Sequence, residues 1–235
     1  PGDCEYSPPG FVGLSWEEVD FPQSPLRTYR VYANFDHATE QLTAVYGTAA
    51  APFNLSSSHP FFQHQFGGAF VDEVIDQEAE LLDQDSWLSL GATVGVDQDI
   101  QHIGMSSAID DFEDGEPLVT NSAAGGIWFV YPDSIGSAAP NFPDSSGRVL
   151  IAQLTSMGQI SLQANLQYKA SNGDAILVTG QQLLFPDEVA DCTDEDACNY
   201  NPDATLLVDN CIYAEEFLDC EGTCLNDADD DGICD

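Results

Sequence analysis

The sequence predicts a mainly β protein: a β-sandwich or jelly-roll domain with an extended N-terminal arm and a small C-terminal module stapled by disulfides and calcium. Three observations predict it. Short runs rich in β-branched and aromatic residues recur between Gly, Pro and Asn, as in sandwiches. One run, Gln159 to Tyr168, alternates polar and apolar strictly, the mark of a strand with one wet face. Six of the seven cysteines fall between Cys192 and Cys234, and the long middle has none. That is a disulfide module attached to a domain that needs no staples.

Residues 1–24 read as the arm. Pro8, Pro9 and Pro22, with Pro25 just beyond, disfavour helix there. Phe11, Val12, Leu14 and Trp16 are apolar enough to dock on their own domain or on a neighbour. Residues 25–186 read as the β domain. Its strand candidates are Leu26–Phe35, Gln41–Tyr46, Phe61–Phe66, Trp87–Val94, Ile127–Tyr131, Arg148–Thr155, Ile160–Tyr168 and Ala175–Leu184. Ser156-Met157-Gly158-Gln159 and Ser171-Asn172-Gly173-Asp174 are turn signals between strands. Val71, Val74, Ile75, Ala79 and Leu82 stand near helical spacing, so Val71–Leu82 is the one helix candidate, with an acidic loop as its alternative. Asp110 to Glu116 reads as a solvated acidic loop.

Residues 187–235 form the tail, with seventeen acidic residues and no basic one. Few large apolar residues remain there, so disulfides and metal must replace a core. Asp227-Ala228-Asp229-Asp230-Asp231-Gly232-Ile233-Cys234-Asp235 has the spacing D-x-D-x-D-G-x-x-D. Carboxylates at alternate positions converge on one hard cation, and the glycine permits the sharp turn. The expected Ca2+ donors are Asp227, Asp229, Asp231 and Asp235, with the Ile233 carbonyl. Asp194, Asp196, Asp203 and Asp209 are candidates for a second site. The candidate disulfide cysteines are Cys192, Cys198, Cys211, Cys220, Cys224 and Cys234. Six cysteines allow fifteen pairings, and the spacing alone selects none. The odd Cys4 is free, pairs into the tail, or pairs between chains.

The tail resembles a known type of repeat. Cys192-Thr193-Asp194, Ala197-Cys198-Asn199-Tyr200, Asp209-Asn210-Cys211-Ile212-Tyr213 and Asp219-Cys220-Glu221-Gly222-Thr223-Cys224 are similar to the acidic, Cys-rich repeats of large secreted surface proteins of marine Bacteroidetes. The final stretch resembles thrombospondin type 3 calcium repeats. Asn210 departs from the glycine usual before the third cysteine. Such repeats come in tandem, which implies a longer chain, and Cys4-Glu5-Tyr6 echoes Cys211-Ile212-Tyr213 as the close of a preceding repeat. The middle domain, through Thr28 to Ala33, Asp85-Ser86-Trp87, Trp128 to Val130 and Arg148 to Leu154, resembles an uncharacterised β-rich segment of similar proteins. That likeness implies no activity.

Composition bounds function. Forty-one acidic residues stand against four basic ones, for a net charge of −37. Such a surface repels nucleic acid and anionic membrane, which need Lys and Arg, and it fits a marine or halophilic setting or many calcium sites. Hydrophobic content of 43% with thirteen Phe argues against disorder. No apolar run reaches the length of a membrane span. Pro1-Gly2-Asp3-Cys4 lacks the features of a signal peptide, so a secreted chain implies a leader removed upstream.

Catalytic signals are weak. Gly104-Met105-Ser106-Ser107-Ala108 only approaches a nucleophile elbow. His59 and His64 lack a zinc spacing. Asn54-Leu55-Ser56 and Asp133-Ser134-Ile135 are short glycan-acceptor patterns of low specificity. The sequence therefore predicts no enzyme but a secreted structural protein of the cell surface, forming a calcium-stabilised fibre, sheath or filament by self-association, with the arm exchanged between subunits. The first alternative is a calcium-dependent carbohydrate-binding or adhesin module, with Tyr29, Trp87, Trp128 and Tyr131 lining an aromatic face. A secreted hydrolase domain ranks third.

Overall fold

The computed structural model describes residues 10–22, 24, 26–71, 81–96, 98–131, 140–186, 190–201, 204, 206–207, 210–214, 217–220 and 222–224. The chain divides into two compact units, Pro1–Phe185 and Pro186–Asp235. The first is mainly β, with two antiparallel sheets. Its elements are β1 (Phe11–Val19), β2 (Thr28–Phe35), β3 (Gln41–Gly47), β4 (Phe53–Ser57), β5 (Trp87–Leu88), β6 (Gln101–Ile103), α1 (Ser106–Glu113), β7 (Leu118–Thr120), β8 (Gly126–Phe129), β9 (Arg148–Thr155), β10 (Ile160–Lys169) and β11 (Ala175–Phe185).

The four-stranded sheet runs β1-β2-β9-β5. The seven-stranded sheet runs β6-β8-β3-β10-β4-β7, with β11 also paired to β10. Strand β10 is the axis of the larger sheet. Its second half pairs with β3 and its first half with β4, while β11 follows it along its length. The β10–β11 hairpin closes as its turn signal predicts. Gly173 stands at φ +91, and Asp174 N–H donates to Asn172 Oδ1 at 3.0 Å.

Aromatic side chains carry the core between the sheets. Phe35 of β2 meets Tyr168 of β10 edge-on at 5.2 Å, and Tyr29 meets Phe185 of β11 at 5.5 Å. Trp16 of β1 stacks on the same Phe185 at 5.5 Å. Such contacts add to the large apolar area each ring buries. Residues 11–19 are therefore not an undocked arm. They form an edge strand paired with β2 of the same chain from Phe11 to Val19. Residues 1–9 of the expected arm lie outside the described residues.

Several local expectations give way to tertiary packing. Phe61–Phe66 forms no strand. Phe61 packs edge-on against Phe112 at 5.4 Å, and the buried carboxylate of Asp85 accepts the His64 and Gly68 N–H groups at 2.7 and 3.2 Å. The aromatic run thus fills a gap rather than pairing. Trp87–Val94 shortens to Trp87–Leu88, because Gly91 turns at φ +103 and its Cα passes too close to the Pro140 carbonyl for any side chain. Asp110 to Glu116 is not simply a loop, since its first four residues belong to α1. Ala108 and Phe112 of α1 are buried one turn apart, and Gly115 follows at φ +85. Of Val71–Leu82, residues 72–80 lie outside the described residues, and Leu82 opens a single 3-10 turn through Gln84.

Where β10 passes from β4 to β3, backbone groups are left without ladder partners. Buried Asn165 supplies them. Its Nδ2 donates to the carbonyls of Tyr46 and Ala51 at 2.9 Å each and of Pro52 at 3.2 Å. Its Oδ1 accepts the Gly180 N–H at 2.9 Å. Gly180, at φ +69, sits where the β10–β11 register shifts between Ala164 and Leu166. One amide thus closes the β3–β4 connection and the β11 bulge together. Removing it leaves buried acceptors and a donor unpaired, at roughly 1–3 kcal/mol for each such group. We expect Asn165→Ala to lose about 3 kcal/mol of stability in urea unfolding. A loss well under 1 kcal/mol would show that water replaces the amide.

Candidate functional site

The tail unit is held by two described disulfides, Cys192–Cys211 and Cys198–Cys220. Cys224 is disulfide-bonded as well. Between the disulfides, side chains replace a ladder. Asn199 Nδ2 donates to the Asn210 carbonyl at 2.9 Å, and its Oδ1 accepts the Ile212 N–H at 2.7 Å. A short parallel pair, β12 (Ala190–Asp191) with β13 (Leu206–Leu207), completes the unit. Asn210 contributes only its backbone carbonyl to the link with Asn199.

The expected calcium donors Asp227, Asp229, Asp231, Ile233 and Asp235 lie outside the described residues, as do Cys4, Cys234, Asp203 and Asp209. Of the second candidate set, Asp194 and Asp196 are brought into one turn. There Asp194 Oδ1 accepts the Asp196 N–H at 3.0 Å and Oδ2 accepts the Tyr213 hydroxyl at 2.7 Å. The Tyr213 hydroxyl, then the Asp196 N–H, hold this carboxyl below its usual range. Asp219 plays a similar part, accepting the Thr223 N–H at 2.7 Å. Both carboxylates already serve as turn acceptors. Among the described residues, no group of three or more His, Cys, Asp and Glu is placed to hold a metal. His64 follows this pattern: its Nδ1 accepts the Phe66 N–H at 3.2 Å within its own turn.

The aromatic face expected from Tyr29, Trp87, Trp128 and Tyr131 does not form. Tyr29, Trp87 and Trp128 are buried at 1–2% exposure and belong to the core, and only Tyr131 is open, at 57%. Their β-branched neighbours and alternation point them inward, away from any ligand.

Charge is distributed sharply instead. Strands β2 to β11 contain no acidic residue at all. Like charges facing each other across strands destabilise a sheet, so the acids occupy β1, α1, the connections and the tail. Three of the four basic residues secure the smaller sheet. Arg27 grips Glu18 with two hydrogen bonds of 2.9 Å. Arg148 donates to Glu17 Oε2 at 2.8 Å and lies 4.2 Å over the Tyr32 ring. Tyr32 donates its hydroxyl to Glu17 Oε1. Arg30 donates to Gln153 at 3.2 Å. Burial, then the Glu17 carboxylate, push the Tyr32 phenol up to about 12. For Glu17, burial pulls upward, but the bonds from Tyr32 and Arg148 outweigh it and the carboxyl ends low.

The outer face of the seven-stranded sheet is uncharged except for Lys169. On β11, Leu177 and Leu184 point outward at 59% and 55% exposure. Ile103, Ile127, Tyr46 and Leu177 surround a groove of about 280 Å³. Asn54, Ser161, Gln163, Gln182 and Leu184 line a second of about 430 Å³. Strand β11 itself, AILVTGQQLLF, carries no charge and no proline.

No family model, curated protein or solved structure matches this chain. Function must rest on these surfaces. The uncharged face was hidden in the sequence because net charge averages over the whole chain. Reading acids strand by strand would have exposed it.

Two outcomes test this layout. A spectrophotometric titration should show one tyrosine ionising near 12, and Glu17→Gln should lower it. Because Glu17 is held low when folded, its stabilising effect is present above the usual carboxylate range and lost as pH falls through its lowered value. The variant should therefore narrow its stability gap to the parent under acid. Separately, reducing the disulfides should unfold the tail while the cysteine-free sheets stay protected in hydrogen exchange. Each loop of about twenty residues is worth about 3 kcal/mol. Loss of protection in β10 on reduction would show that the two units fold as one.

Proposed function

We propose that this chain is an extracellular structural subunit that joins its own copies through β11 and is braced at its tail by disulfides and calcium. The observation that carries this is the contrast among the sheet edges. Edge strand β1 carries Glu17 and Glu18 and a register shift at Phe11/Gly13. Edge strands β5, β6 and β7 have two, three and three residues. These are the ordinary ways of blunting an edge. Strand β11 is eleven residues long with no charge, and among the described residues no strand pairs with its outer flank.

A long unblunted edge is a template for another strand. At a net charge of −37, copies repel one another wherever carboxylates meet. Antiparallel pairing of β11 with β11 brings two uncharged strands together and avoids that repulsion. Such a two-fold contact closes after two copies, so a fibre needs a second joint. The tail, with its calcium spacing at Asp227 to Asp235, is the proposed second joint. Exchange of residues 11–19 is set aside, since their pairing with β2 would have to break first. Two disulfides support an oxidising, extracellular setting. No described helix is long and apolar enough to cross a membrane.

The test is electron microscopy and sedimentation in millimolar calcium and after chelation. Filaments in calcium that fall to dimers on chelation are expected. Leu177→Lys with Leu184→Lys should reduce the dimers to monomers. Lysine lowers the net negative charge, so lost assembly would not reflect general repulsion. Wild-type monomers under both conditions would overturn the proposal.

A further inference from the structure

We infer that the outer face of the seven-stranded sheet holds a binding groove for a neutral polysaccharide, built on Asn54, Gln163 and Gln182. The pairing registers place Gln163 opposite Asn54 on one side and opposite Gln182 on the other. The three amides thus form one row across β4, β10 and β11. Ser161 and Leu184, paired with each other, form the next row. Together they line the groove of about 430 Å³.

The chemistry fits hydroxyl groups. Neighbouring strands stand about 4.8 Å apart, which spaces the amides evenly along the row. Each amide offers two N–H donors and a carbonyl acceptor. A sugar hydroxyl both donates and accepts, so amides match it in either role, whereas a carboxylate only accepts. Among the described residues, Asn54 Oδ1 is buried without a hydrogen-bond partner, one sign that this wall of the groove is polar rather than packed. Leu184, exposed at the rim, offers apolar surface to the C–H face of a sugar ring.

Solvated positions elsewhere in this chain are rich in carboxylates, and these positions are not. A groove free of charge on a molecule of net charge −37 admits a neutral chain while the surrounding field repels an anionic one. This site borders the proposed assembly contact through Gln182 and Leu184 of β11, but its other amides do not share that strand. Asn54 and Gln163 lie on β4 and β10, inside the sheet rather than on its free edge.

The test is affinity electrophoresis of the full chain through gels containing β-glucan, mannan, xylan or α-glucan, with alginate as the anionic comparison. Retardation is expected in at least one neutral gel and not in alginate. Asn54→Ala with Gln163→Ala should weaken it about tenfold or more, with an unchanged circular dichroism spectrum. Gln182→Ala, on the exposed strand, provides a second variant should the double one misfold. Migration unaffected by every neutral polysaccharide, retardation by alginate instead, or retardation undiminished in both variants would overturn the inference. Sedimentation of the same variants separates this outcome from failure of the β11 contact.

Discussion

The larger sheet depends on one constraint: β10 must serve two strands along a single flank. Where β4 ends and β3 begins, a strand cannot satisfy both backbones. A buried polar group without a partner is costly in a low-dielectric interior. Asn165 resolves the conflict by capping three carbonyls and one N–H at once. Other amides repeat the device on a smaller scale. Gln98 pairs with both backbone groups of Leu90, Asn141 with the Leu42 carbonyl, and Gln153 with the carbonyls of Asp83 and Asp85. Irregular connections can therefore cross the protein without losing hydrogen bonds.

Charge obeys a second constraint. So acidic a chain can form sheets because its strands exclude the acids. The scarce arginines sit on β2 (Arg30), on β9 (Arg148) and just before β2 (Arg27), beside β1. There they neutralise the two glutamates that β1 does carry. The result is a body whose interior and faces are nearly uncharged and whose connections carry the net charge. This arrangement unites the two proposals, because an uncharged edge and an uncharged groove are the places where a partner can approach.

The long strands were legible in the sequence. Thr28–Phe35, Arg148–Thr155, Ile160–Lys169 and Ala175–Phe185 show alternation or dense β-branched content, and tertiary contacts agree with that local preference. Short strands such as Gln101–Ile103 and Leu118–Thr120 carry too few residues for a periodic signal. They exist because a longer neighbour offers hydrogen bonds. Helix α1 was obscured by its aspartates, although Ala108, Phe112 and Gly115 mark its inner face and its end. The surface grooves were illegible for another reason. A row such as Asn54, Gln163, Gln182 exists only once pairing brings distant segments into register. The aromatics misled because Trp87 and Trp128 serve the core, as most strand tryptophans do.

The contact of Trp16 with Phe185 has a mechanical consequence. It joins the first strand of the β unit to the last. Tension carried along the backbone would enter the unit at β1 and leave at β11. Those two strands belong to different sheets but meet ring on ring. The stacked rings therefore tie the two rim strands directly to each other across the interior. Rupture would begin by peeling one rim strand from its sheet, and the remaining strands would stay assembled as a template on which the detached strand can re-form.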